Sequence, residues 1–132
     1  SIIALAAFEC GLDTFAAVEI ADIEAKSEGL TRFFIDAVEE TCGSEVRLTS
    51  PRDPRSRGSH VCFFHPEGYA VMQALIARGV VGDFRPPGLM RFGFAPNYNG
   101  YRDVWNAAEA LALVLSGKEW VRFSQAKRRK VI

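Results

Sequence analysis

The sequence is poor in the residues that usually build metal sites and disulfide frameworks. It contains two histidines and three cysteines. Cys10, Cys42 and Cys62 are far apart and odd in number, and no two of them form a C-x-x-C pair. This spacing excludes a disulfide framework and a zinc knuckle. Widely spaced thiols are typical of a reduced, cytoplasmic protein, which is the localisation we expect.

The sequence also lacks an excess of charge of either sign. Sixteen basic residues balance sixteen acidic ones, so we expect no nucleic-acid partner and no attraction to an anionic membrane. No apolar run approaches the roughly 18 residues that span a bilayer. The basic residues include only four lysines, which leaves few candidates for Schiff-base chemistry: Lys26, Lys118, Lys127 and Lys130.

The familiar short motifs of catalytic and cofactor sites are missing as well. The sequence contains no G-x-S-x-G, P-loop, H-E-x-x-H or G-x-G-x-x-G, and no pair of carboxylates stands out. At 132 residues and 48% hydrophobic composition, the chain is long enough for one domain with a buried core. The residues therefore predict a globular domain without a complete catalytic apparatus.

The first third of the chain predicts helices. Ile2–Phe8 is apolar nearly all round, and we expect Gly11 to end this first helix. A second helix is predicted from Asp13 or Thr14 to Gly43, about 29 residues and about 43 Å long, long enough to link two domains. A stripe that is apolar except for Ser27 recurs at steps of three and four: Leu12, Ala16, Ile20, Ile23, Ser27, Leu30, Phe34 and Val38. The acidic residues near its end (Asp36, Glu39, Glu40) conflict with the helix dipole.

The rest of the chain predicts short strands and two further helices. Strands are expected at 45–48, 60–64, 80–84 and 89–94, with helices from about 68 to Gly79 and from about Asp103 to Gly117. This order predicts an α+β fold with a small, mostly antiparallel sheet of three to four strands packed by helices. The expected division is a helical part (1–43), an α+β core (44–117) and a loosely attached tail (118–132).

Arg91 is the main candidate for a binding residue. With a period of two, Leu89, Arg91 and Gly93 share one face of a strand, and the large apolar residues share the other. The planar guanidinium fork matches a carboxylate, and Gly93 leaves space beside it. The alternative from spacing alone is an internal salt bridge to Asp83 on the neighbouring strand.

Other polar residues give weaker signals. His60 and Cys62 share a strand face while His65 points away, and two ligands are too few for zinc, so we expect no metal. His60 remains a candidate for a polar contact. The basic loop with Arg52, Arg55 and Arg57 could receive an anion, although a solvated loop or a subunit contact is favoured.

The segment after the Arg91 strand is rich in polar and aromatic residues. Asn97 is a candidate contact residue there, although turn formation is the favoured role of this loop. Asp83 and Arg85 share a strand face, for which pairing across the sheet is the favoured role. The basic K-R-R-K tail is too short to indicate a nucleic-acid arm.

Several longer blocks resemble one enzyme family. Ser50–Val61 (SPRDPRSRGSHV), Ala74–Arg85 (ALIARGVVGDFR) and Leu89–Trp105 (LMRFGFAPNYNGYRDVW) resemble the C-terminal part of kynureninases. Ala4–Phe15 (ALAAFECGLDTF) and Ala25–Thr31 (AKSEGLT) resemble the stretch through which that family enters its small domain. The resemblance covers nearly the whole chain.

This resemblance implies a fold and a function. Kynureninases are homodimeric, pyridoxal-phosphate-dependent hydrolases of the aspartate-aminotransferase fold type. They cleave L-kynurenine to anthranilate and L-alanine in tryptophan degradation, a pathway that leads to NAD biosynthesis. The resemblance implies that Arg91, in the L-x-R-F-G strand, binds the substrate α-carboxylate. It also implies that the lysine and the other pyridoxal phosphate ligands belong to a large domain absent from this chain, which alone is expected to be inactive.

Two other interpretations stay open at this point. The chain could be a free-standing interaction domain that kept the fold and lost the chemistry. It could also be the small domain of another pyridoxal-phosphate-dependent, aminotransferase-like enzyme, although the D-F-R and L-x-R-F-G blocks count against this. The preference for L-kynurenine or 3-hydroxykynurenine is not predictable from these residues.

Overall fold

The computed structural model describes residues 1–124 and contains four helices and four strands. The helices are α1 (Ile2–Asp13), α2 (Ile20–Cys42), α3 (Gly68–Ala77) and α4 (Tyr101–Ser116). The strands are β1 (Arg47–Leu48), β2 (His60–Phe64), β3 (Asp83–Arg85) and β4 (Leu89–Gly93). Short 3-10 turns occupy Gly43–Glu45, Pro54–Ser56 and Glu119–Phe123. The predicted α+β fold is confirmed.

The four strands form one antiparallel sheet with the order β1-β2-β4-β3. Strands β2 and β4 are its centre and pair over five residues, from His60 opposite Gly93 to Phe64 opposite Leu89. Strand β3 pairs with the outer side of β4, which places Asp83 opposite Arg91. This register puts every second residue of the central strands on the same face.

One face of the sheet is covered by helices and forms the core. Val61, Phe63, Met90 and Phe92 are at most 4% exposed. Phe34 of α2 packs against this face, with its ring centroid 4.9 Å from that of Phe92 and 6.0 Å from that of Phe63. Helices α3 and α4 complete the same cluster with Met72, Leu75, Ala108, Leu111 and Leu115.

The long second helix differs from its prediction. Helix α1 continues through Gly11 to Asp13, and turns separate it from α2, which begins at Ile20 rather than at Asp13 or Thr14. Residues 1–22 are all exposed, so no packing within the described chain holds the first part of the predicted stripe against the domain. Thr14 instead donates its hydroxyl hydrogen to the Gly11 carbonyl, at 2.7 Å.

The third strand and third helix also have different bounds. The predicted strand at 80–84 is shifted to Asp83–Arg85, because the Val80 N–H donates to the Leu75 carbonyl at 3.0 Å and so closes α3. Gly79 has a φ of 83°, the left-handed conformation that favours glycine. Helix α3 buries Val71, Met72 and Leu75, whereas Ile76 is 41% exposed.

The other bounds are close to their predictions. The strand at 60–64 is confirmed, and the strand predicted at 89–94 ends one residue early, at Gly93. The strand predicted at 45–48 is shorter, because Glu45 belongs to the 3-10 turn after Gly43. Helix α4 begins at Tyr101, two residues before Asp103, whose carboxylate accepts from the Gly100 N–H at 2.8 Å.

The segment after α4 packs back onto the domain. Trp120 and Phe123 are partly buried against the core. Arg78 at the end of α3 forms a two-point ion pair with Glu119, from Nε to Oε2 at 2.9 Å and from Nη2 to Oε1 at 2.5 Å. The K-R-R-K segment lies outside the described residues.

Candidate anion-binding site

Among residues 1–124, no helix covers the second face of the sheet, which is largely polar. We call it the open face and define it by alternate residues of the strands: Arg47, His60, Cys62, Phe64, Asp83, Arg85, Leu89, Arg91 and Gly93. All of them are exposed or half-buried, in contrast to the buried alternate positions of β2 and β4. A two-sided sheet of this kind arises directly from the period-two alternation in the sequence.

Arg91 lies at the centre of the open face, directly between two neighbouring strands. Its cross-strand partners are Cys62 on β2 and Asp83 on β3. The Arg91 Nη2 donates to Asp83 Oδ2, so the salt bridge anticipated from the sequence is present. The Arg91 side chain is 38% exposed, which leaves the guanidinium accessible from the open side.

Asp83 is shared by two arginines. Its Oδ2 also accepts a hydrogen bond from Arg85 Nε at 3.0 Å and lies 2.9 Å from Arg85 Nη2 in an ion pair. The sequence favoured pairing across the sheet for Asp83 and Arg85; Asp83 does pair across it, whereas Arg85 pairs with Asp83 on its own strand. Two guanidinium groups and one carboxylate leave a net positive charge, so this cluster can accept a further anion.

The space beside Arg91 is open, as the sequence predicted. A Cβ atom added to Gly93 would meet no heavy atom within 4 Å. His60 lies opposite Gly93 on the same face and is exposed. Residues at such diagonal positions are about 7–8 Å apart, so the structure brings His60 close to Arg91.

Asn97 lies elsewhere. It is exposed and lines a pocket at the N-terminal end of α2, together with Thr14, Val18, Asp22, Ile23, Lys26 and Pro96. Its neighbour Asn99 forms the predicted turn, with Oδ1 accepting from the Ala95 N–H at 2.8 Å. The structure therefore does not place Asn97 among the strand residues of the open face.

The basic loop packs onto α2. Arg52 pairs with Asp36 and Glu39, which places a cation beside the acidic end of that helix and accounts for its unfavourable charges. Arg57 donates to the Thr31 hydroxyl at 2.7 Å and to the Arg52 carbonyl at 2.8 Å. Sequence reasoning missed these contacts, although the acidic cluster on α2 was a signal for a basic partner.

His65 makes contacts that stabilise the fold. Its ring packs against Trp120 at 5.7 Å, and its Nδ1 accepts from the Glu67 N–H at 3.0 Å. Burial lowers the pKa of His65 below its ordinary value, which favours the neutral ring that this hydrogen bond requires. Within residues 1–124, no group of three His, Cys, Asp or Glu side chains could hold a metal ion.

The described lysines do not fit a pyridoxal phosphate site. Lys26 is exposed and donates to the Pro96 carbonyl at 2.5 Å, and Lys118 is exposed with a φ of 49°. Neither lies on the open face. Lys127 and Lys130 lie outside the described residues. No step of a reaction at this cofactor can therefore be assigned to Lys26 or Lys118. Separately, no helix within residues 1–124 is long and apolar enough to cross a membrane.

The fold and the site define a small α+β domain with an arginine on an open sheet face. The profile of the kynureninase C-terminal domain matches residues 23–111, which include all four strands. The chain belongs to the kynureninase C-terminal domain family.

Curated relatives carry the same name. The chain is 49% identical to the kynureninase of Pseudomonas fluorescens over 131 residues, 98% of this chain and 32% of that protein. It is 48% identical to the kynureninases of Burkholderia mallei strain SAVP1 and Burkholderia pseudomallei strain K96243 over 120 residues, 90% of this chain and 29% of each relative. The chain thus spans about a third of the length of these relatives.

Proposed function

We propose that the chain is the C-terminal small domain of a kynureninase-type hydrolase, in which Arg91 binds the α-carboxylate of the substrate. The substrate would be L-kynurenine or 3-hydroxykynurenine, cleaved to L-alanine and anthranilate or its hydroxylated form. The observation that carries this proposal is the position of Arg91, an accessible guanidinium on the open face of a family-matched domain.

Charge and geometry support a carboxylate as the ligand. A guanidinium binds a carboxylate through two parallel hydrogen bonds. Asp83 engages Arg91 through Nη2 alone. Within residues 1–124, no hydrogen-bond acceptor lies at its Nε or Nη1, and Gly93 provides space for a ligand beside the side chain.

The rest of the enzyme would supply the reactive half of the site. We propose that a large domain binds pyridoxal phosphate, which supplies the electron sink for cleavage of the substrate, and that this chain supplies orientation of the carboxylate. We also propose that the complete enzyme is a homodimer, in keeping with the kynureninase family, and that the chain alone is inactive.

The exposed α1 supports the existence of such a covering domain. Its large apolar side chains face solvent, with Ile2 86%, Leu5 68% and Phe8 65% exposed. Apolar patches of this extent mark surfaces that another part of a protein covers. We propose that residues 1–43 connect the small domain to the large one, with Leu30, Phe34 and Val38 of α2 also packing into the core, and that 44–117 form the rest of the α+β core and 118–132 its tail.

The test is replacement of Arg91 by Ala in the complete enzyme. Loss of a charged two-point contact is expected to raise the KM for L-kynurenine by about 100-fold or more, with bound pyridoxal phosphate unchanged in its absorbance. Steady-state kinetics and cofactor content measure the two properties separately. A normal KM in a folded Arg91→Ala enzyme would exclude the proposed role.

A further inference from the structure

We propose that Asp83 is a positioning residue, which fixes the Arg91 guanidinium in the orientation that receives the substrate carboxylate. Arg85 in turn holds Asp83. This inference rests on the proposed function of Arg91 and adds a second and third residue to the same site. It concerns the direction in which a flexible side chain points, rather than a new contact with the substrate.

The first observation is the register of the sheet. Asp83 and Arg91 are direct cross-strand partners on the open face, where side chains opposite each other have Cβ atoms about 4.5–5.5 Å apart. Asp83 can therefore reach Arg91 without any movement of the backbone. A free arginine side chain loses rotamer entropy when a ligand fixes it, and a partner that already holds the side chain reduces that loss.

The second observation is that the contact occupies only part of the guanidinium. Asp83 receives a hydrogen bond from Nη2 alone. Arg78, by comparison, is held by Glu119 through both Nε and Nη2. A carboxylate that bound Arg91 through both Nε and Nη2 would occupy an edge of the guanidinium that a substrate carboxylate needs. A contact through one Nη2 hydrogen orients the group and leaves a two-donor edge for the ligand, formed by the other Nη2 hydrogen with Nη1 or Nε.

The third observation explains why the Asp83 carboxylate stays in place beside Arg91. Arg85 donates to the same oxygen of Asp83 from Nε at 3.0 Å, and its Nη2 forms an ion pair with that oxygen at 2.9 Å. The carboxylate is thus shared, and its negative charge is spread over two guanidinium groups. The cluster retains a net positive charge toward the substrate, which a one-to-one ion pair would not.

A competing role for Asp83 predicts the opposite sign. If Asp83 merely competed with the substrate for Arg91, its removal would free the guanidinium and also delete a repelling negative charge, so KM would fall. If Asp83 positions Arg91, its removal raises KM. The direction of the change therefore separates the two roles.

The experiment uses the complete enzyme with Asp83→Asn and Asp83→Glu. We expect Asp83→Asn to raise the KM for L-kynurenine about tenfold with kcat within about twofold, and Asp83→Glu, which keeps the charge, to stay within about threefold of the parent KM. The Tm of both variants should stay within a few degrees of the parent. Glu119→Gln is the matched control, since Arg78 and Glu119 are 35% and 29% exposed and Arg91 and Asp83 are 38% and 32% exposed.

A double variant links the effect to Arg91. In Arg91→Ala, adding Asp83→Asn should change KM no further, because there is no guanidinium left to position. An unchanged or lower KM in Asp83→Asn would overturn the inference, as would an equal rise in Glu119→Gln. If Asp83→Asn does not fold, Arg85→Gln decides in its place, with a KM rise of about threefold expected and an unchanged KM overturning the inference.

The two proposals fail separately. A normal KM in Arg91→Ala would remove the proposed function and this inference with it. A raised KM in Arg91→Ala together with a normal KM in Asp83→Asn would remove only the positioning role.

Discussion

Met90 and Arg91 are neighbours in the chain but lie on opposite faces of the same strand. Met90 is fully buried among the residues of α2, α3 and the central strands, whereas the Arg91 side chain is 38% exposed. Packing determines which side chains the covered face accepts, since any change of volume there affects several neighbours. The open face is constrained by charge and by accessibility. The two faces therefore predict different consequences of mutation.

The largest expected difference concerns stability. Met90→Ala removes most of a fully buried side chain and is expected to lower the free energy of unfolding of the domain by about 2–5 kcal/mol. Arg91→Ala in the same chain should change it by less than about 1 kcal/mol, because it breaks a partly exposed ion pair. Urea denaturation followed by circular dichroism measures both. Equal losses would contradict the division into a packed face and an open face.

Gly93 provides a smaller, functional contrast. A valine at this position has space, since a Cβ atom there meets nothing within 4 Å, so the fold should tolerate it. The added side chain fills the space beside Arg91, and the KM for L-kynurenine in the complete enzyme should rise about tenfold. Gly93→Ala should give a smaller rise and serves as the graded control. Unchanged kinetics in both would show that a ligand does not approach Arg91 from this side.

The smallest expected effect concerns the ion pair between Arg78 and Glu119. The hydrogen bond from Arg78 lowers the pKa of Glu119 below its ordinary value. Its contribution to stability is therefore present above the ordinary pKa and is lost as the pH falls through the lowered one. Thermal unfolding from pH 7 to pH 3 should show a Tm a few degrees lower in Glu119→Gln at neutral pH. This difference should shrink as the pH falls below about 4.3, the ordinary pKa of a glutamate, and a constant difference would contradict the assignment.

The sequence predicted the parts of the fold that depend on local alternation. The strands at 60–64 and 89–93 have a clear period of two, and Gly43 and Gly79 both adopt a positive φ at the ends of helices. The central position of Arg91 on a polar face followed from the same alternation. The salt bridge to Asp83 was predicted as an alternative to ligand binding, whereas the structure allows both.

Other features depend on contacts that the sequence does not contain. The long helix before the sheet is confirmed, but the interruption at 14–19 has no glycine or proline and the apolar period continues across it, so its start was predicted six or seven residues too early. The start of β3 depended on a hydrogen bond from Val80 to the end of α3. The pairing of Arg52 with Asp36 and Glu39 brings together a loop and a helix. The contact between Arg85 and Asp83 on the same strand could not be predicted either, because it depends on the conformations of both side chains.

The central claim is that Arg91 is a ligand-binding arginine and Arg78 a structural one, although their exposures are 38% and 35%. The most direct test replaces each by lysine in the complete enzyme, because lysine keeps the charge and loses the fork. We predict that Arg91→Lys lowers kcat/KM for L-kynurenine by about 100-fold with an unchanged Tm, and that Arg78→Lys leaves kcat/KM within about twofold. Equal kinetics in the two variants would contradict the account.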